Sequence, residues 1–254
     1  MEGHGVYRRR RLPHWDMPGA TYFVTTCLDG SIPAEGLLDL ARYRARLARL
    51  PRREKMSSVD WELRCWKKTF ARSDDWLDRQ PAVRHFTDPV LATIVVDACF
   101  FWAGRRYDLL AYAIMPSQLH WVFRPIEEHP MEGVLEKTAN PVVEQVANLL
   151  EPRQVGNLPH VRSPRERIMH TLKLHTAREC NRRMGRCGAF WQAESYDHCV
   201  RDDDELERII QYVEFNPVKA RLVDQPEQWP FSSARDRAKS GRLLGQPIVR
   251  SAQQ

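Results

Sequence analysis

In the stretch Tyr212-Val213-Glu214-Phe215-Asn216-Pro217-Val218-Lys219 a phenol and a side-chain amide stand four residues apart. On a helix that spacing puts both on one face. Upstream, Met115-Pro116-Ser117-Gln118-Leu119-His120 joins two strand-like runs and presents Gln118 and His120 on one side of a strand. A tyrosine hydroxyl has a reference pKa near ~10, so as a nucleophile it gains when a cation makes the phosphate it attacks more electrophilic. Gln118 Oε1, His120 and Asn216 Oδ1 would form a sparse, largely neutral ligand set suited to Mg2+ or Mn2+, with positions left for phosphate oxygens. On spacing alone the reading stays open, because packing is the commoner use of both a strand histidine and a helix tyrosine.

The elements that must position these groups are legible in the pattern. Thr21 to Leu28 is rich in β-branched and aromatic residues after a Pro18-Gly19 turn signal, which predicts a strand. Helices are predicted over 36–50, broken by Pro51, and over 59–71, so that 34–80 reads as a helical insertion. Pro89 to Gly104 carries the apolar stripe of a buried helix, and Tyr107 to Met115 then reads as a central strand. A hairpin through Pro116-Ser117 leads into Leu119 to Arg124, with Leu119, Trp121 and Phe123 facing one way and Gln118, His120, Val122 and Arg124 the other. Ser163-Pro164-Arg165-Glu166 has the form of a capping box and opens a helix to about Met184. Residues 203–216 form the last major helix, opened by Asp202, Asp203 and Asp204 and buried along Leu206, Ile209, Ile210 and Val213. Tyr212 and Asn216 then fall about 100° round from that stripe. Pro217 biases Asn216 toward the final turn or its cap. Residues 126–162 read as a long connection with a short helix near 140–150. The order of elements predicts an α+β fold with a mostly antiparallel sheet.

A chain of 254 residues with 43% hydrophobic and 28% charged content can bury a full core, which argues against global disorder. A net charge of +6 favours a polyanionic partner. The six cysteines lie at no zinc or redox spacing and read as reduced. Met1 to Tyr7, followed by Arg8 to Arg11, has no apolar stretch of signal-peptide type, and Pro89 to Gly104 is too short to cross a bilayer. A cytoplasmic setting without membrane contact is the expectation.

Several ordered motifs together resemble the REP-associated tyrosine transposases, which are single-tyrosine HUH transposases related to those of small single-strand insertion sequences. They are Leu12-Pro13-His14-Trp15 to Thr25, Met115 to His120, Phe190-Trp191-Gln192-Ala193-Glu194-Ser195-Tyr196-Asp197-His198, and Tyr212 to Val223 followed by Trp229-Pro230-Phe231-Ser232-Ser233. The resemblance implies a ferredoxin-like HUH nuclease fold that cleaves and rejoins single-stranded DNA near a hairpin, in DNA transposition and recombination. It implies Tyr212 as nucleophile through a 5′-phosphotyrosine link, His120 as second histidine of the His-hydrophobic-His metal motif, Asn216 as third ligand, and a possible homodimer. The family usually has histidine where this chain has Gln118, a weaker ligand for softer metals. The alternative is therefore a domesticated relative that binds structured single-stranded nucleic acid without cutting.

The expected domain spans 12–236, with 1–11 as a basic arm and 237–254 as a tail. Lys173, Arg178, Arg182, Lys219, Arg9 and Arg10 are the candidate phosphate contacts. Tyr196 is a rival nucleophile in an aromatic block. Asp197 and His198 read either as outer partners of a metal ligand or as a strand end. His170 and His175 have no partner at ligand spacing. Trp15, Trp66 and Trp121 serve either as stacking platforms for bases or as core.

Overall fold

The computed structural model describes residues 6–9, 13–17, 19–52, 56–126 and 162–248. A hairpin of β1 (Val6–Arg9) and β2 (Pro13–Asp16) precedes the main sheet. That sheet holds β3 (Tyr22–Cys27), β4 (Tyr107–Met115), β5 (Gln118–Pro125) and β6 (Tyr196–Cys199). Its order is β4-β5-β3-β6, with every neighbour antiparallel. Helices α3 (Pro89–Phe101) and α4 (Pro164–Met184) connect the strands, giving the β-α-β-β-α-β order of the ferredoxin-like fold that the family resemblance implies; the α+β class and antiparallel sheet are as the element pattern predicts, whereas the pattern alone does not mark β6. Before α3 stand α1 (Ala34–Arg49) and α2 (Ser58–Arg79); after β6 come α5 (Asp203–Lys219) and α6 (Ser233–Ser240).

Alternation along the strands divides the core. Tyr22, Val24, Leu119, Trp121 and Phe123 pack with α3 and with Ile168, Leu172 and Cys180 of α4. Phe23, Val122 and Tyr196 point to the other face, where Ile210 and Val213 of α5 cover them. Each large apolar side chain removed from water there contributes about 1.5–3 kcal/mol. β4 and β5 are covered on both faces, which is why β4 reads as a continuous apolar run. The facing of Leu119, Trp121 and Phe123 against Val122 is as the sequence predicts.

Local signals set the helix ends. Asp88 accepts from Val90 N at 2.9 Å ahead of Pro89. Ser163 and Glu166 close both bonds of their capping box, and Gly185 ends α4 with φ 64. Asp202 accepts from Glu205 N at 2.7 Å to open α5. Two helices run further than the sequence predicts. α5 passes through Pro217 to Lys219, with Ala220 N bonding Asn216 O at 2.9 Å. Asn216 therefore lies in the final turns of the helix rather than at its cap. α2 continues past position 71 to Arg79 and adds the turns that carry Asp74, Trp76, Leu77 and Asp78.

The insertion is tied down at both of its helices. Asp39 of α1 accepts from Arg72 Nε at 2.6 Å and from Trp76 Nε1 at 2.9 Å. A Cβ on Gly36 would meet Ile32 at 2.9 Å and the Trp76 ring at 3.0 Å, so glycine permits this approach. α2 lies on the α5 side of the sheet, where Phe70 stacks on Tyr196 with ring centroids 3.7 Å apart. Packing also continues beyond position 236: Arg237 is buried, donating to Glu214 Oε1 at 2.8 Å and to Leu110 O, and Ile248 N bonds Leu109 O at 2.7 Å. The helix expected near 140–150 lies outside the described residues, as does Arg10. Among the described residues no helix is long and apolar enough to cross a membrane.

Candidate active site

His120 follows Gln118 on β5 by two residues and is fully buried. Its Nδ1 lies 2.7 Å from Thr25 Oγ1 on β3, the residue directly across the ladder. Its ring stacks on Phe23 at 6.2 Å. Burial holds the imidazole pKa down to about 4, against the opposing pull of Asp74, so the ring is neutral at pH 7. A neutral imidazole is the form that binds metal. Nε2 has no hydrogen-bond partner, and Asp74 Oδ1 stands 3.6 Å from it.

Tyr212 comes to the same point from α5. Its hydroxyl donates to Asp74 Oδ2 at 2.6 Å, and its ring meets the His120 ring edge-on at 6.0 Å. Burial, then the Asp74 carboxylate, raise the phenol pKa well above the ordinary tyrosine value. Lys219 Nζ is 2.8 Å from both Asp74 Oδ2 and Asp78 Oδ2. Burial opposes its charge, but the two carboxylates prevail and the ammonium pKa is raised. Asp78 is itself pushed up to about 6 by burial and by Asp74.

Gln118 shares the face of His120, as its position predicts, but its amide is turned. Nε2 donates to Asp74 Oδ1 at 3.4 Å and to Asp78 Oδ1 at 3.5 Å, while Oε1 accepts from the Cys27 thiol at 3.8 Å. Burial pushes that thiol up to about 12, so it keeps its proton and can donate. Asn216, one turn beyond Tyr212, is fully buried; against burial and Asp74, its amide is close enough to the Tyr212 hydroxyl to pull the phenol pKa down, but neither amide atom makes a hydrogen bond of good geometry. A cleft of about 270 Å³ leads in between α2 and α5, lined by Phe23, Phe70, Asp74, Tyr196, Tyr212 and Lys219.

Asp74 and Asp78 were not among the candidates read from the sequence. Their signal is faint but present. Phe70, Asp74 and Asp78 recur at steps of four, which puts two carboxylates on the stripe by which α2 meets the sheet. Charged residues on a buried stripe are uncommon unless paired or functional.

Other candidates fall elsewhere. Tyr196 is stacked between Trp66 and Phe70, with its phenol pKa raised by burial, and it serves the packing of α2. Asp197 forms a buried ion pair with Arg165 at 2.6 Å, and His198 lies 3.0 Å from Glu205, so neither supports His120. His170 and His175 are exposed on α4. Trp121 is core. Lys173 bends its ammonium onto Gln192 O at 2.5 Å, and Arg182 pairs with Glu179 at 2.5 Å. Arg178 and Arg182 are exposed, but α4 packs on the sheet face opposite Tyr212. Of the basic candidates with described side chains, Lys219 alone stands beside the phenol. The backbone of Arg9 lies in β1.

Comparison with known proteins gives the following. No protein-family model matches the chain. Over 53 residues, 21% of this chain, it is 38% identical to a Haemophilus influenzae protein whose provisional name is REP-associated tyrosine transposase. The match spans 30% of that relative's own length. A solved structure of a REP-associated tyrosine transposase bound to a REP hairpin aligns over 97% of this chain and 94% of its own, at 14% identity and a TM-score of 0.41. Over those 53 residues the chain resembles a REP-associated tyrosine transposase, the family that its ordered motifs imply.

Proposed function

We propose that this protein is a tyrosine-dependent transposase that cleaves and rejoins single-stranded DNA beside a hairpin. The observation that carries the reading is the meeting of the Tyr212 phenol and the buried His120 imidazole on one carboxylate, although 92 positions separate them in the chain. In the cleaving step the phenol oxygen bonds to phosphorus and the P–O3′ bond breaks. The phenol proton passes to Asp74 Oδ2, already its hydrogen-bond acceptor at 2.6 Å, and the departing 3′ oxygen takes a proton from water. The products are a 5′-phosphotyrosine and a free 3′-hydroxyl. Rejoining is the reverse with a second 3′-hydroxyl, and because the covalent link keeps the bond energy no nucleotide cofactor is needed.

A divalent cation, Mg2+ or Mn2+, would supply charge stabilisation at the phosphate. The site suits such an ion on one observation: a fully buried imidazole nitrogen has no partner and faces a carboxylate. His120 and Asn216 are the side chains read from the sequence as its holders, together with Gln118. Lys219 at the cleft is the phosphate contact nearest the reaction, and the net charge of +6 favours a polyanion. A cytoplasmic homodimer acting on hairpin DNA completes the proposal.

The decisive assay incubates the protein with a hairpin-flanked single-stranded oligonucleotide and Mg2+ or Mn2+, then looks for a covalent adduct on a denaturing gel. The wild type should form it and Tyr212→Phe should not; an adduct with Tyr212→Phe would exclude this nucleophile. The second reading, a relative that binds without cutting, is favoured by the turned amide of Gln118. It predicts salt-dependent hairpin binding and no adduct with either metal.

A further inference from the structure

We infer that Asp74, carried into the site by the helical insertion, is the carboxylate ligand of the divalent cation, with His120 Nε2 as its nitrogen partner, and that Gln118 aims this carboxylate instead of binding the ion. The inference rests on the proposed metal-assisted chemistry for its purpose but not for its test.

Three features of the site lead there. The first is the gap between His120 Nε2 and Asp74 Oδ1. Both residues are fully or almost fully buried, and the 3.6 Å between these atoms is too long for a good hydrogen bond. Thr25 engages Nδ1; in the tautomer with the proton on Nδ1, donated to Thr25 Oγ1 as a metal-bound histidine donates to its outer partner, the Nε2 lone pair is directed at the carboxylate oxygen. In that tautomer two electron-rich atoms face each other across the gap, and they repel unless a cation lies between them. Ligands about 2.1 Å from a common ion stand roughly 3 Å apart at a right angle and further at wider angles, a range that includes this separation.

The second feature is the direction of the Gln118 amide. Its carbonyl, the only atom with which it could bind a hard cation, is turned away from His120 Nε2 toward the Cys27 thiol, 3.8 Å off. Its NH2 group reaches the two carboxylates, touching the same Asp74 oxygen that faces His120. That is the position of a group that orients a ligating carboxylate. A carboxylate delivered from α2 thereby takes the place of the imidazole that the family pattern puts at 118. The change from nitrogen to anionic oxygen favours Mg2+ and Mn2+ over softer ions.

The third feature is charge. Two carboxylates, Asp74 and Asp78, share one ammonium, Lys219, so among the described residues negative charge is in excess where a phosphodiester must arrive. A divalent cation on Asp74 Oδ1 reverses that sign. Lys219 could then turn to the phosphate. Among the described residues no three His, Cys, Asp or Glu side chains converge to hold a metal. The remaining positions accordingly fall to Asn216 Oδ1, water and the phosphate itself, in keeping with the habit of Mg2+ of keeping few protein ligands.

The test needs no DNA. Mn2+ alone is titrated into the full-length protein, and free ion is followed by electron paramagnetic resonance for the wild type, Asp74→Asn, His120→Ala and Gln118→Ala. The wild type should take up one ion. Asp74→Asn and His120→Ala should each weaken it by more than about 100-fold, and Gln118→Ala, as an outer partner, by about 10-fold. Asp74→Cys should lose Mn2+ and gain one Cd2+, seen as a thiolate-to-cadmium charge-transfer band in excess of that given by the free cysteines of the wild type; a purely structural aspartate would give no such exchange. Circular dichroism checks each fold, and the cysteine variant serves if the asparagine variant does not fold. Unchanged Mn2+ affinity in Asp74→Asn, no Mn2+ uptake by the wild type, or no cadmium band beyond that of the wild type in a folded Asp74→Cys would each overturn the inference. Asp74-dependent Mn2+ uptake without a DNA adduct would leave it standing and remove only the nuclease reading.

Discussion

Replacing Tyr212 by phenylalanine removes one oxygen and, with it, the shortest link between α5 and the inserted helix. The hydroxyl donates at 2.6 Å to a carboxylate that is 1% exposed. A hydrogen bond to a charged acceptor contributes roughly 1.5–3 kcal/mol, and short O–H···O⁻ bonds are among the stronger ones. The ring keeps its edge contacts with Phe23 at 5.8 Å and His120 at 6.0 Å, so the cavity term is small. Asp74 also retains Lys219 at 2.8 Å, although that ammonium is 46% exposed and screened by water. The balance is a loss of about 2 kcal/mol. For a domain of this size that is roughly 4–8 °C in Tm. The measurement is urea unfolding followed by far-ultraviolet circular dichroism in EDTA, on the wild type, Tyr212→Phe, Asp74→Asn and the double variant. The cycle should return a coupling of about 1–2 kcal/mol. A Tyr212→Phe protein within about 0.5 kcal/mol of the wild type would mean that the phenol does not rest on Asp74 in solution, and the site described above would need redrawing.

Two further outcomes concern the frame around the site. Arg165 and Asp197 are each 3% exposed and 2.6 Å apart, so Arg165→Met should cost about 3–5 kcal/mol by removing the guanidinium that this buried carboxylate faces. Arg165→Met with Asp197→Leu should recover most of it, and a single-variant cost below about 1 kcal/mol in urea unfolding would contradict the pair's burial. Lys173 has its ammonium pKa held down to about 8 by burial, against 10.5 for the free side chain. Between those values the unfolded chain binds the extra proton, so stability should rise with pH through that window, by up to about 3 kcal/mol, and level off below 8, where both states carry the proton. Lys173→Met should lack this slope when the two proteins are unfolded side by side from pH 7.5 to 10; identical slopes would refute the assignment.

The physical role of the insertion follows from these contacts. Without α2 the parts of Phe23 and Tyr196 that α5 does not cover would meet water, and His120 would lose its carboxylate neighbour. With α2 in place, Phe70 covers the aromatics and Asp74 reaches the phenol one turn further on. The same helix therefore closes the core and completes the candidate site.

Much of this was available in the sequence because the signals are local. Period-two alternation assigned Leu119, Trp121 and Phe123 to one face and His120 to the other, and the Ser163 and Asp202 caps marked the starts of α4 and α5. The four-residue step from Tyr212 to Asn216 and the two-residue step from Gln118 to His120 needed only the repeat of a helix and of a strand. The short, polar strand Tyr196–Cys199 was harder to see, since its place in the sheet depends on pairing with β3 and not on its own pattern. What tertiary structure alone decided was which side chains share the site. α2 crosses the sheet at the height of His120 because Phe70 and Trp66 find Tyr196 there, and that docking brings Asp74 to the phenol and turns the Gln118 amide toward it. It also separates the basic face of α4 from Tyr212, which no charge count along the chain could reveal. Spacing along a sequence determines which residues share an element's face; only the packing of one element on another determines which faces meet.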